Sequence, residues 1–151
     1  PPNACLAMIF SQDRDQLRAA YFAAWNKARA DQPLEPLEQQ IVEVITEHPE
    51  YHALLEDEAT ALHKDFSPEA GESNPFLHMA LHIAIREQLA TDRPIGIQKA
   101  YRKVRKHSAD VHKAEHRIME CLGHAIWEIQ RYRRPFNEAD YLQCVRKAAK
   151  R

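Results

Sequence analysis

The stretch NPFLHMALHIAIREQ, residues 74–88, decides the fold class. Asn74 and Pro75 supply a typical helix cap and first helical position. The residues that follow leave hardly any polar face, since apolar side chains stand at Phe76, Leu77, Met79, Ala80, Leu81, Ile83, Ala84, Ile85 and Leu89. A helix that is apolar all round is buried. The stretch therefore predicts a buried helix that carries two histidines, His78 and His82, one turn apart.

The rest of the chain also repeats with a helical period, and no segment alternates with period two. We expect an all-α, single-domain helical bundle of six or seven helices over residues 9–151, with residues 1–7 an upstream or disordered segment. Prolines and polar caps mark helix starts at Ser11, Pro36, Pro49, Asp110 and Asn137. The third of these helices is predicted to run from Pro49 through Leu62. Residues 67–73 are predicted to form a loop.

Composition excludes several classes of protein. Three glycines cannot build a phosphate-cradling loop, and four serines offer no nucleophile elbow, so no nucleotide cofactor is expected. Three cysteines without a CxxC pair predict neither a disulfide framework nor a zinc ribbon. No apolar run approaches a membrane span and the start lacks a signal peptide. We therefore expect a cytoplasmic protein without a membrane partner.

Charge is distributed unevenly along the chain. Residues 31–75 hold twelve acidic residues and Lys64 as their one base, whereas residues 93–151 hold fifteen lysines or arginines against six acidic residues. The basic half could contact phosphates, or it could balance the acidic half of its own chain. Because the net charge is −1, we favour the second interpretation.

Histidines recur at the spacing of one helical face. Nine histidines placed at random would give roughly 0.5 pairs at spacing i,i+4, whereas the chain has three: His48/His52, His78/His82 and His112/His116. Pro49 disfavours helical geometry at His48, which leaves two pairs able to turn both imidazoles toward one ion. The alternative is that these residues are core histidines held by hydrogen bonds, or a solvated helix face.

The metal hypothesis assigns a role to each candidate residue. His78, His82, His112 and His116 would be ligands, and Glu120, on the same helical stripe as the last two, a further carboxylate ligand. Glu115 would orient an imidazole through its second N–H. His52 and Glu56 are weaker contributors. Imidazole suits zinc, iron and nickel alike, so the ion is not specified further.

Four motifs carry a resemblance: HPEYH (48–52), NPFLH with His82 downstream, DRPIG (92–96) and HKAEHRIMECLG (112–123). From about Ile9 to Val145, the chain resembles a family of small bacterial proteins known only as a domain of unknown function. The resemblance implies a cytosolic bacterial protein and no particular activity. A vaguer similarity of pattern exists to the metal-binding helical bundles of the hemerythrin and DinB-like folds.

Two functions of different classes follow. The first is a metal-binding bundle, which would be hydrolytic if the ion keeps an open position for water, so enzyme status stays open. The second is a non-catalytic adaptor that meets an acidic protein or RNA through KAYRKVRKH (99–107) and RYRR (131–134), with Tyr101 and Tyr132 available to stack. We rank nucleic acid low as a partner and regard a homo-oligomer as compatible with the sequence. A cysteine nucleophile at Cys121 ranks last.

Overall fold

The computed structural model describes residues 14–66 and 73–150, and all regular structure within these ranges is helical. This confirms the all-α prediction. Six helices have ten or more residues, two have a single turn, and a 3-10 turn at Pro49–Tyr51 precedes the short ones. In chain order they are α1 (Arg14–Arg29), α2 (Pro36–Thr46), α3 (His52–Leu55), α4 (Glu58–Ala61), α5 (Pro75–Thr91), α6 (Ile97–Lys106), α7 (Val111–Tyr132) and α8 (Glu138–Ala148).

Several sequence predictions fall outside the described ranges. The cap at Ser11, the upstream segment 1–7 and most of the loop at 67–73 lie there. Within the ranges, every helix is too short or too polar to span a lipid bilayer.

The chain divides into an N-terminal unit that ends at Ile83 and a C-terminal unit that begins at Ala84. The boundary falls inside α5, so the first half of this helix belongs to one unit and the second half to the other. The single domain expected from the sequence stays a prediction.

In the N-terminal unit, aromatic side chains of α1 pack on the start of α5. The ring of Phe76 lies 5.7 Å from that of Tyr21 and 5.9 Å from that of Phe22, and all three are buried. The predicted cap of α5 is confirmed, because the Asn74 Oδ1 atom accepts hydrogen bonds from the backbone N–H groups of Phe76 and Leu77. α2 packs against α1 and buries Ile41, Val44 and Ile45 in the same core.

The prediction of one continuous helix from Pro49 through Leu62 is wrong. The chain forms the 3-10 turn and α3, breaks at Asp57, whose backbone is not helical (φ −121°, ψ 68°), and then forms α4. Glu56, Asp57 and Glu58 are all exposed and place three like charges in succession at the break. Glu56 follows the C-terminus of α3, where a carboxylate opposes the helix dipole, and Glu58 is the first residue of α4, where a carboxylate favours a helix start.

Arg18 of α1 joins the short helices to the N-terminal core. Its side chain is 3 % exposed, and its Nη1 donates to the carbonyls of Ala61, Leu62 and Lys64 at 3.2, 3.2 and 2.6 Å. The guanidinium also lies 4.9 Å from the ring centroid of Phe76. Burial, with the nearby charge of Arg14, holds the pKa of Arg18 below its usual range. The Arg18 guanidinium therefore binds three backbone carbonyls at and just after the end of α4.

In the C-terminal unit, α6, α7 and α8 pack against one another. Their shared core is apolar and consists of Ile97, Ala100, Val104, Ala114, Ile118, Leu122, Leu142 and Val145. A buried hydrogen bond lies within this unit, because the hydroxyl of Tyr141 donates to the Oε1 atom of Gln88 at 2.7 Å. Burial raises the pKa of Tyr141, so its hydroxyl stays protonated and able to donate.

A disulfide between Cys121 of α7 and Cys144 of α8 was not expected from the sequence. The two residues are separated by 23 positions, and their Cα atoms lie 5.8 Å apart. An odd number of cysteines without a CxxC pair does not reveal such a pairing, because it depends on how α7 packs on α8.

Replacing Arg18 with methionine should destabilise the protein by about 2–4 kcal/mol, because three carbonyls lose a charged donor while the apolar stem is retained. Chemical denaturation followed by circular dichroism measures the loss. The matched control is Arg29→Met, at the exposed end of the same helix, where the Nη1 atom lies 3.9 Å from Glu56. That variant should lose much less stability. Equal losses in the two variants would contradict the role given to Arg18.

Candidate metal centre

Two histidines cap the C-terminus of α2 by binding its last backbone carbonyls. The backbone N–H of His48 donates to the Ile45 carbonyl at 3.0 Å. It therefore does not make the usual helical hydrogen bond to the Val44 carbonyl. Pro49 has no N–H to offer the next carbonyl of the helix. The imidazoles compensate: His48 Nδ1 bonds the Val44 carbonyl at 2.8 Å, and His52 Nε2 bonds the Ile45 carbonyl at 2.9 Å. The segment HPEYH is therefore a C-terminal helix cap.

These bonds fix the protons of both rings. A carbonyl oxygen only accepts, so the proton of neutral His48 sits on Nδ1 and the lone pair on Nε2. His52 has the opposite tautomer, and its ring packs 4.8 Å from that of Trp25. Glu56, the other weak candidate, is exposed, with its Oε1 atom 3.9 Å from Arg29. In neutral His48, the lone pair is thus on Nε2, the ring nitrogen that does not bind the Val44 carbonyl.

His48 meets the two histidines of α5. Its ring centroid lies 4.9 Å from that of His82 and 5.2 Å from that of His78, and the α5 rings lie 4.9 Å apart. One nitrogen from each residue lies within 4.8 Å of the other two. His48 and His82 are 1 % and 0 % exposed, whereas His78 is half-buried. We call these three residues the histidine cluster.

The spacing of the histidine cluster is close to that of a metal site. Nitrogen ligands about 2.0–2.1 Å from a tetrahedral zinc ion stand roughly 3.3–3.4 Å from one another. The candidate nitrogens of the cluster, within 4.8 Å of one another, would have to come closer to bind such an ion. Tyr51 stacks on His48 with centroids 5.3 Å apart and planes 2° from parallel, which supports the ring from the other face. Burial, with a smaller effect of Glu50, raises the pKa of Tyr51 and keeps its phenol neutral.

The remaining candidate ligands stand on α7, in the C-terminal unit. His112 and His116 are half-buried, with ring centroids 4.2 Å apart, as their spacing of one turn predicts. Glu120 is exposed. That these three residues bind the same ion as His78 and His82 stays a prediction.

A family model described as Domain of unknown function (DUF1841) matches residues 13–147. The chain belongs to this family. The match confirms the family resemblance seen in the sequence, and the description of the family names no activity. Neither the curated proteins nor the solved structures gave a match to this DUF1841 chain. The likeness to hemerythrin and DinB-like bundles stays a prediction.

Glu115 of the DUF1841 chain forms a buried ion pair. It is 3 % exposed, and Arg86 Nε lies 3.3 and 3.2 Å from its two oxygens while Nη2 lies 3.2 Å from Oε1. This two-pronged contact holds the carboxylate in place. The predicted task of Glu115, to orient an imidazole, stays a prediction.

His48 is the residue that sequence reasoning missed. Because Pro49 interrupts the helix, the sequence does not predict that His48 and His52 share an ion. In the structure, the two rings do bind different carbonyls. The same interruption turns the His48 ring back over α2 and toward α5. A histidine directly before a helix-ending proline is the signal that would have indicated it.

Replacing Glu115 with glutamine should destabilise the protein by about 2–4 kcal/mol, because it leaves the Arg86 cation half-buried beside a neutral group. Denaturant unfolding should give the same loss with and without a chelator, since the ion pair needs no metal. Glu43→Gln, an exposed carboxylate in the middle of α2, is the control and should change stability by less than about 0.5 kcal/mol. A loss that disappears in chelator would assign Glu115 to the metal instead.

Proposed function

We propose that the protein binds one transition metal ion, zinc, iron or nickel, through the imidazoles of His48, His78 and His82. The observation that carries this proposal is the convergence of three imidazole nitrogens within 4.8 Å in a largely buried setting. Imidazole is a good ligand for all three metals, and three protein ligands are a common set for zinc.

The tautomer of His48 separates this proposal from the simpler one of hydrogen-bonded core histidines. A single buried histidine is commonly satisfied by a carbonyl, as His52 is. In His48 the carbonyl bond occupies Nδ1, and a ring N–H that donates to a carbonyl orients an imidazole whose other nitrogen binds metal. The Val44 carbonyl therefore has the position and chemistry to prepare His48 as a ligand through Nε2.

Three imidazoles leave a coordination position for another group. From the sequence we propose that His112, His116 and Glu120 contribute to the same ion. If water holds this position instead, the ion would lower its pKa toward neutrality and supply a hydroxide for hydrolysis of an ester or amide. A closed four-ligand site would serve structure, and an open one would allow catalysis.

Protein purified without a histidine tag should carry or take up about one equivalent of metal, measured by elemental analysis. Cobalt titration offers a spectroscopic readout, because tetrahedral Co²⁺ absorbs visible light and octahedral aqueous Co²⁺ hardly does. His48→Ala, His78→Ala and His82→Ala should each lose most of the uptake. His52→Ala is the matched control, since it removes a capping imidazole outside the histidine cluster, and it should keep full stoichiometry. Unchanged stoichiometry in all three cluster variants would refute the proposal.

The same variants distinguish a site from a core when they are melted with and without chelator. An ion that binds only the folded state stabilises it by about 2.7 kcal/mol at a hundredfold excess over Kd. Native protein should therefore lose melting temperature on chelation, and the cluster variants should not respond. The double change His112→Ala with His116→Ala then tests the ligands proposed on α7. If affinity is unaffected, the ion is held without them.

A second function is favoured by the surface of α6. This helix buries Ile97, Ala100 and Val104, and its exposed face is cationic, with Lys99, Arg102, Lys103 and Lys106. Such a face fits an adaptor that binds an acidic protein or nucleic acid, although basic helix faces are commonly just solvated.

For nucleic acid we expect an affinity no tighter than generic non-specific binding, about 10⁻⁴–10⁻⁶ M at physiological salt. Fluorescence anisotropy with random single-stranded RNA and with duplex DNA measures it. Submicromolar binding that is lost on changing Arg102, Lys103, Arg105 and Lys106 to glutamine would overturn this expectation and favour the adaptor.

A further inference from the structure

The disulfide of the C-terminal unit forms part of the wall of a cavity. The cavity has a volume of about 710 Å³, and both Cys121 and Cys144 line it. The two cysteines differ in exposure, because Cys121 is 4 % exposed and Cys144 is half-buried. Since Cys144 is the more exposed residue of the pair, we expect a small reagent inside the cavity to attack its sulfur.

The lining of the cavity carries both signs of charge. Arg134 and Lys147 are its fixed cations, and Glu128, Glu138 and Asp140 are its carboxylates. Phe136 adds an apolar surface to the lining. A ligand with both an ammonium and a carboxylate can pair with each of these sets, whereas a ligand with a single charge can pair with only one of them.

We propose that this cavity binds a low-molecular-weight zwitterionic thiol, of the type of cysteine or glutathione, and that the bound thiol exchanges with the Cys121–Cys144 disulfide. The proposal is independent of metal binding, because every residue it uses belongs to the C-terminal unit.

The exchange takes two balanced steps. The thiolate of the first ligand attacks the Cys144 sulfur, a mixed disulfide forms, and the Cys121 thiolate leaves and takes up a proton. A second thiol then attacks the ligand sulfur of the mixed disulfide, so that the ligand leaves as its oxidised dimer and Cys144 becomes a thiol. Two thiols are oxidised, one protein disulfide is reduced, and the reverse sequence restores it.

The position of Lys147 favours this chemistry. It stands three residues after Cys144 on α8, hence one turn along the same helix face, and it lines the same cavity. A nearby cation stabilises a thiolate, both that of an entering ligand and that of Cys144 when the disulfide opens. α7 and α8 pack against each other and each buries several apolar side chains, so the two helices have contacts besides the disulfide.

The test uses the oxidised full chain with Cys5→Ser, which removes the third thiol. Reduction by glutathione is compared with reduction by uncharged 2-mercaptoethanol, and remaining thiols are alkylated and counted by mass spectrometry. The same chain unfolded in urea gives the intrinsic ratio of the two rates. In the folded protein, the ratio of the glutathione rate to the 2-mercaptoethanol rate should exceed this intrinsic ratio by on the order of tenfold. Equal folded and unfolded ratios would overturn the proposal, as would a disulfide that never forms or that resists millimolar glutathione.

Single substitutions test which residues cause the preference for glutathione. Lys147→Gln and Arg134→Gln should each bring the folded ratio close to the unfolded one, whereas Lys150→Gln, the same charge change outside the cavity lining, should leave it high. With oxidised glutathione, Cys121→Ser should form a mixed disulfide at Cys144 several times faster than Cys144→Ser forms one at Cys121. Circular dichroism confirms that each variant is folded. Equal effects of Lys147→Gln and Lys150→Gln, or faster reaction at Cys121, would also overturn the proposal.

Discussion

The candidate centre depends on the need of α2 to satisfy its last carbonyls. Pro49 cannot donate to the helix, so imidazole N–H groups of His48 and His52 reach back to Val44 and Ile45. This requirement selects the tautomer of His48 and places its ring beside His78 and His82. Under the proposed function, one side chain would both cap the helix and supply a ligand nitrogen, and the geometry of the second role would follow from the first.

α5 shows how a helix without a polar face can carry polar residues. His82 and Gln88 are fully buried on it, and each meets a group held by another helix: His82 meets His48 after α2, and Gln88 accepts from Tyr141 of α8. Because burying an unpaired polar group costs about 1–3 kcal/mol, such residues persist only where a partner is fixed in advance. The buried polar residues of α5 therefore each require a particular contact within their own unit.

Local rules predicted much of this fold. Asn74, Asp110 and Asn137 start helices with the expected caps, and α5 ends within a few residues of the stretch 74–88 that predicted it. The turn of His48 toward α5 and the disulfide were not predicted, because both depend on contacts between segments distant in sequence, and the break at Asp57 was missed because the apolar period continues across its local charges. Of the histidine cluster, the spacing on α5 indicated His78 and His82. His48 could not be found from spacing, since its ring leaves the helix to cap it.

Each unit contains one of the two tryptophans of the chain, and each tryptophan lies against a histidine. Trp25 is partly buried beside His52, with ring centroids 4.8 Å apart, whereas Trp127 is 49 % exposed and stacks near His124 at 5.8 Å. The two indoles therefore lie in environments of different polarity, and their fluorescence should have maxima at different wavelengths. The intrinsic fluorescence of a single-tryptophan variant becomes a reporter confined to one unit, and the pair of such variants can reveal whether the two halves of the chain unfold in one transition or in two.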